Sequence, residues 1–110
     1  MTDQHQRLAG LLLALSEEMK VQGLWEQSAP SPDALASTEP FCVDTLSFGQ
    51  WVQWIMIPRF EQMIEASAPL PGSCSIQPIA EEGFKGIPGD ASLLINLIGR
   101  IDRALTTQPH

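Results

Sequence analysis

Tyrosine is absent from this chain, histidine and cysteine each occur twice, and lysine and arginine together occur six times. Each shortage removes a class of function. His5 and His110 stand near the two ends, with no HxxxH pair and no Cys/His cluster. Zinc needs three or four converging imidazole or thiolate ligands, so no metal site is expected. Serine and cysteine lack a recognisable histidine partner, and there is no G-x-S-x-G elbow, so nucleophilic catalysis has no visible constellation. Cys42 and Cys74 form no CxxC pair. Nothing points to secretion, so both thiols are expected to be reduced and packed as small apolar residues in or near the core.

The six cations, Arg7, Lys20, Arg59, Lys85, Arg100 and Arg103, are scattered along the sequence against thirteen acidic residues, for a formal charge of -7. Nucleic-acid binders carry a basic face that displaces counterions from phosphate, so direct nucleic-acid binding is not expected. Anionic membrane surfaces are disfavoured for the same reason. The apolar run after Arg7 follows Asp3 and is cut by Glu17 and Glu18. It is neither a good signal peptide nor a membrane span, and a cytoplasmic location is expected.

What remains is the composition of a globular domain: 110 residues, 44% hydrophobic and 17% charged. The whole chain, 1–110, reads as one all-α domain. In the first helix Asp3 is placed to cap and Gln6 to complete a capping box. Leu8, Leu12, Leu15 and Met19 form its stripe, and Gly23 suits a left-handed ending with Leu24 folding back on Met19. Residues 26–40 are a long connection with one or two short turns over Pro32 to Ala36. A second long helix starts at Ser47, boxed with Gln50, contains Pro58, and stops before Pro69 and Pro71. Pro78 to Glu82 is a candidate short helix closed by Gly83. Gly86, Pro88 and Gly89 mark a turn. The last helix is capped by Asp90, with Leu94, Leu97, Ile98, Ile101 and Leu105 inward and Asn96, Arg100 and Arg103 outward. No segment alternates with period two. Three long helices plus one or two short ones predict an irregular antiparallel bundle, four-helix-bundle-like.

Two weaker patterns read as ordinary structure. Glu17-Glu18 and Glu81-Glu82 are neighbours about 100° apart on a helix, which makes a solvated face and not a carboxylate pair. Gly83-Phe84-Lys85-Gly86 has the GxxG form of a nucleic-acid clamp but lacks the accompanying sheet, and Asp90 near the next helix start would repel an anion.

The second long helix departs from simple amphipathicity. At about 100° per residue, Val52, Ile55, Met56, Phe60 and Met63 share one face. Arg59 lands near the middle of that apolar face, while Trp54 and Ile57 land on the polar side. Cover by the 26–40 connection explains Trp54 and Ile57 if the helix is central. An exposed apolar patch for a partner explains them otherwise. Arg59 is accounted for either by the bend at Pro58 rotating it outward or by a partner, with Asp44 one acidic candidate and helix C-terminal carbonyls another, and an acidic partner is expected.

Residues 37–72 also carry Pro40-Phe41, Asp44-Thr45, Gln53-Trp54-Ile55, Ile57-Pro58-Arg59 and Pro69-Leu70-Pro71. In these elements the chain resembles the YqcC-like family of small uncharacterised bacterial proteins. The resemblance implies a cytoplasmic helical bundle with no established activity, cofactor or catalytic residue. It also implies an association, since members are found encoded beside a pseudouridine synthase acting on tRNA.

These readings converge on a non-enzymatic interaction module built on a Trp-rich central helix, with an accessory role to an RNA-modification enzyme as one form of it. Its partner would be another protein or a second copy of the chain. The competing expectation is a small-ligand-binding protein or enzyme with a pocket where Pro58 opens the bundle. The candidate residues for either are Asp44, Trp51, Trp54, Ile57, Pro58 and Arg59. No catalytic, cofactor-binding or metal-binding residue is assigned, and no cofactor is expected.

Overall fold

The ends of the first helix show how closely local signals set the fold. The computed structural model describes residues 3–70 and 75–106. Helix α1 (Asp3–Val21) closes at Gly23, whose φ is 73°. The Leu24 N–H bonds to the Met19 carbonyl at 2.9 Å and the Gly23 N–H to Lys20 at 3.1 Å. This is the expected left-handed ending. The start is different: Asp3 is already helical, so it does not cap, and its carboxylate instead favours the positive end of the helix from within the first turn.

The connection that follows holds α2 (Pro32–Leu35), capped by Ser31 Oγ accepting from the Ala34 N–H at 3.1 Å. A 3-10 turn at Pro40–Cys42 comes next. Phe41 and Cys42 lie consecutively in the left-handed region, at φ 57° and 50°, where a side chain is strained. The Cys42 thiol is free and buried. Cys74 lies outside the described residues.

The central helix begins with the expected capping box. Ser47 Oγ accepts from the Gln50 N–H at 3.1 Å, and Gln50 Oε1 accepts from the Ser47 N–H at 2.9 Å. The helix then runs as α3 (Phe48–Trp51), a π turn (Val52–Met56) and α4 (Ile57–Glu65). It ends at Ser67, φ 51°, with the Ala68 N–H on the Met63 carbonyl at 2.8 Å. The stop therefore comes from a left-handed serine ahead of Pro69.

The π turn corrects the helix wheel. Pro58 has no N–H, and just before it the Ile57 N–H reaches back five residues to the Val52 carbonyl. A π turn holds one more residue than an α turn, so everything after it is rotated by about one residue step, roughly 100°. Ile57, expected on the polar side, is core at 4% exposure, in line with Val52, Met56, Phe60 and Ile64. Arg59, expected on the apolar face, is exposed.

Helix α5 (Gln77–Gly83) is capped from outside. Both Asp102 carboxylate oxygens accept backbone N–H groups at its start, from Ile76 at 2.9 Å and Gln77 at 2.7 Å. Gly83 does not close this helix by a positive φ. It is the last helical residue, and a Cβ there would run into the Phe48 side chain. The positive φ belongs to Gly86, at 88°. Helix α6 (Ser92–Thr106) starts one residue later than expected. Ala91 supplies the first carbonyl, to Ile95 at 2.9 Å, and Asp90 Oδ1 accepts from the Ser92 N–H at 2.9 Å. Hydrogen bonds from the Ser92 side chain and then from its backbone hold the pKa of the exposed Asp90 carboxyl below its ordinary value.

Helices α1 and α6 are antiparallel. Gln4 Nε2 donates to the Ala104 carbonyl at 2.9 Å near one end, and Gln22 Nε2 to the Asp90 carbonyl at 2.6 Å at the other. Their expected stripes are buried against each other, the central helix and Phe84. The all-α, irregular antiparallel bundle is thus what forms. Among the described residues no helix is long and apolar enough to cross a membrane.

Candidate functional site

Three of the six singled-out residues, Trp54, Ile57 and Pro58, line one hollow of about 500 Å³, together with Trp25, Glu26, Gln53 and Glu61. Glu26 organises it. Buried Gln53 clamps the Glu26 backbone on both sides, accepting from its N–H at 2.9 Å and donating to its carbonyl at 2.8 Å. The Glu26 carboxylate in turn accepts from Trp54 Nε1 at 3.2 Å and from Gln50 Nε2 at 3.3 Å. The start of the 26–40 connection therefore covers the central helix. Trp54 is left half-buried with its polar edge satisfied, and Ile57 belongs to the core. The pair does not form an exposed apolar patch. At one side of the hollow Lys20 lies 5.2 Å above the Trp25 ring and 3.2 Å from Glu17.

The other three lie elsewhere. Asp44 is exposed before the central helix and accepts from Ser37 Oγ at 2.5 Å. Arg59 makes no ion pair among the described residues, so the expected carboxylate partner is not there. Once the π turn has rotated it into solvent, it needs none. Trp51 sits in an aromatic group, edge-on to Phe41 at 4.8 Å and tilted against Phe48 at 5.7 Å; Phe48 meets Phe84 edge-on at 5.1 Å.

That aromatic group backs a second hollow, which sequence reasoning missed. It is a groove of about 550 Å³ lined by Phe41, Val43, Leu46, Phe48 and Ile79 among others, with Glu82 as its charged member. Val43 on its wall is 71% exposed. The groove depends on the left-handed pair Phe41–Cys42, which turns Phe41 onto Trp51, and on Gly83, which lets α5 approach Phe48. Neither is a pattern of hydrophobicity. The available signal was the apolar run Phe41 to Val43 inside a connection.

Histidine His5 is also placed differently from its reading as an isolated terminal residue. It is buried, and its Nε2 is 2.8 Å from the Ala68 carbonyl, tying α1 to the turn after α4. Among the described residues no three His, Cys, Asp or Glu side chains converge to hold a metal ion.

A family model, DUF446, described as "tRNA pseudouridine synthase C", matches residues 7–104. An uncharacterised protein of Haemophilus influenzae is 36% identical over 80 residues, 73% of this chain and 76% of its own length. The uncharacterised protein YqcC of Escherichia coli is 29% identical over 98 residues, covering 89% and 90%. The solution NMR structure of YqcC from E. coli superposes with a TM-score of 0.83 at 26% identity, over 99% of this chain and 96% of that one. A tRNA pseudouridine synthase C of Pectobacterium carotovorum is 29% identical over 75 residues, which are 68% of this chain but 20% of that protein. The chain belongs to the YqcC-like family of helical bundle proteins.

Proposed function

We propose that this chain is a non-enzymatic interaction module that serves a tRNA pseudouridine synthase. The observation that carries the reading is the Pectobacterium relative, in which a segment similar to this chain accounts for 20% of a longer protein named as that synthase. A bundle that is one part of a synthase there matches, in YqcC of Escherichia coli, 90% of a separate protein, and association between separate chains would restore the arrangement.

The aromatic-backed groove is the docking surface of this proposal. It offers exposed Val43 and half-buried Phe41 and Phe48, the kind of apolar pocket that receives an anchor residue. The central helix contributes through Phe48 and Trp51. The experiment is co-purification with tRNA pseudouridine synthase C from the same source organism, using wild type, Val43→Arg and Trp54→Ala. Co-purification by wild type and Trp54→Ala but not Val43→Arg supports the groove. Failure of wild type to co-purify removes the reading, and retention by Val43→Arg removes the groove.

A second reading is favoured by the hollow beside Pro58. Two indoles, Trp25 and Trp54, and two carboxylates, Glu26 and Glu61, line it, and Lys20 already lies over Trp25 as a bound cation would, which is the chemistry of an organic-cation site. Thermal stabilisation by a quaternary ammonium probe, abolished in Glu61→Gln, would support it. No stabilisation at millimolar probe would end it.

A further inference from the structure

The fold gathers cations that the sequence scatters. Arg7 on α1 and Arg100 and Arg103 on α6 line one hollow of about 420 Å³, with Leu11 and Ala104 between them. Half of the six basic residues thus share one surface, in a chain whose formal charge is -7. All three are exposed. The two lysines are held in local ion pairs, Lys20 with Glu17 and Lys85 with Glu82, each at 3.2 Å. Neither Arg7 nor Arg100 makes an ion pair among the described residues.

The acidic residues nearest in sequence do not fill this hollow. Asp102 stands between Arg100 and Arg103 in the chain but is buried, and its oxygens are turned to the backbone of Ile76 and Gln77. Asp3 lies one turn before Arg7 and is not among the lining residues. Antiparallel packing of α1 and α6 brings the three guanidinium groups to one end of the helix pair.

We infer that this arginine hollow is a contact site for the phosphate backbone of RNA, used while the chain is docked on its synthase. The inference rests on the proposed function for the identity of the polyanion and on the arginine geometry for the contact. Guanidinium forks match phosphate oxygens in pairs. No aromatic ring lines the hollow, so bases have nothing to stack on and the contact is to backbone. The net charge opposes long-range attraction, so the isolated chain binds weakly. Tethering by a docked synthase raises the effective concentration and makes a weak contact count. The arrangement leaves room for both partners. The groove lies beside the far end of α1, where Gly23 and Leu24 approach Ser47 and Gly83. From Arg7 to Gly23 is roughly 24 Å at about 1.5 Å per residue.

The test uses the isolated full-length chain and a labelled, unmodified tRNA transcript at low ionic strength. Wild type is expected to bind with a dissociation constant of roughly 100 µM and to weaken as salt rises, with a log–log slope of about -2, as two or three phosphate contacts require. Arg100→Glu should weaken binding about tenfold, and Arg7→Glu similarly. Arg59→Glu changes net charge equally but lies outside the hollow, and should have less than a twofold effect. Equal losses for Arg59→Glu and Arg100→Glu, or no binding by wild type, overturn the site. So does displacement of the tRNA by poly-glutamate at equal charge concentration, which would mark a site for acidic protein segments. No synthase is present, so this outcome is independent of whether the synthase co-purifies.

Discussion

The side-chain amide of Gln53 pairs with the backbone of Glu26 as a neighbouring strand would, accepting from its N–H and donating to its carbonyl. Gln53 is 4% exposed and Glu26 is half-buried, so both bonds are partly shielded from water. Replacing it by leucine keeps the volume and leaves a half-buried N–H and C=O without their partner. Gln53→Leu is expected to lower unfolding free energy by about 2–4 kcal/mol. It should also raise the fluorescence change of the tryptophans in urea titration, because Glu26 then no longer holds Trp54. A loss below about 0.5 kcal/mol would show that the clamp is dispensable.

The π turn yields a prediction from deletion. Removing Ile55 takes out the extra residue and leaves a plain α-helix with Val52 and Phe60 still facing the core. Removing Arg59 instead rotates Phe60 and Ile64 out of it. Deletion of Ile55 should leave a cooperative unfolding transition. Deletion of Arg59 should abolish it, since exposing two large apolar side chains costs roughly 4 kcal/mol or more. Equal behaviour of the two deletions would mean the π turn does not set the register.

That turn also marks where the sequence stops being legible. Stripes, the Ser47–Gln50 box and the Gly23 ending are local and legible in the sequence, with Leu94 to Leu105 inward, whereas the cap expected at Asp3 does not form. Ile57 and Arg59 were misplaced because a helix wheel assumes a constant pitch, and Pro58 marks a break in it. The Asp102 cap on α5 and the arginine hollow were invisible for a different reason. Both depend on which helices pack together, and Ile76 lies 26 positions from Asp102. The candidate site was half legible: Trp54 and Pro58 do line a hollow, while the Phe41–Val43 groove needed left-handed backbone at two non-glycine residues.

Glycine at 83 is a packing requirement in a helical residue. Gly83→Ala gains helix propensity, about 1 kcal/mol. Against that, the new methyl collides with Phe48, and overpacking of this kind costs about 1–3 kcal/mol. The net expectation is a loss of roughly 1 kcal/mol in urea unfolding. The groove proposed for docking, which Phe48 and Gly83 both line, should be disturbed with it. A stabilised Gly83→Ala would show that Phe48 moves aside freely.

Asp90 gives the pH dependence. Its folded pKa is lowered, chiefly by its hydrogen bonds with Ser92. A depressed carboxyl stabilises the fold above its unfolded value, about 3.9, and that contribution is lost as pH falls through the folded value. The stability difference between wild type and Asp90→Ala should therefore be constant from neutral pH down to about 5 and shrink below about 4. Asp90→Asn keeps an acceptor for the Ser92 N–H but cannot titrate, so its difference from Asp90→Ala should shrink less over the same interval. Urea unfolding at stepped pH decides the matter. A wild-type advantage that persists unchanged to pH 2 would assign the α6 start to the Ala91 carbonyl and core packing alone, with no part for the Asp90 carboxylate.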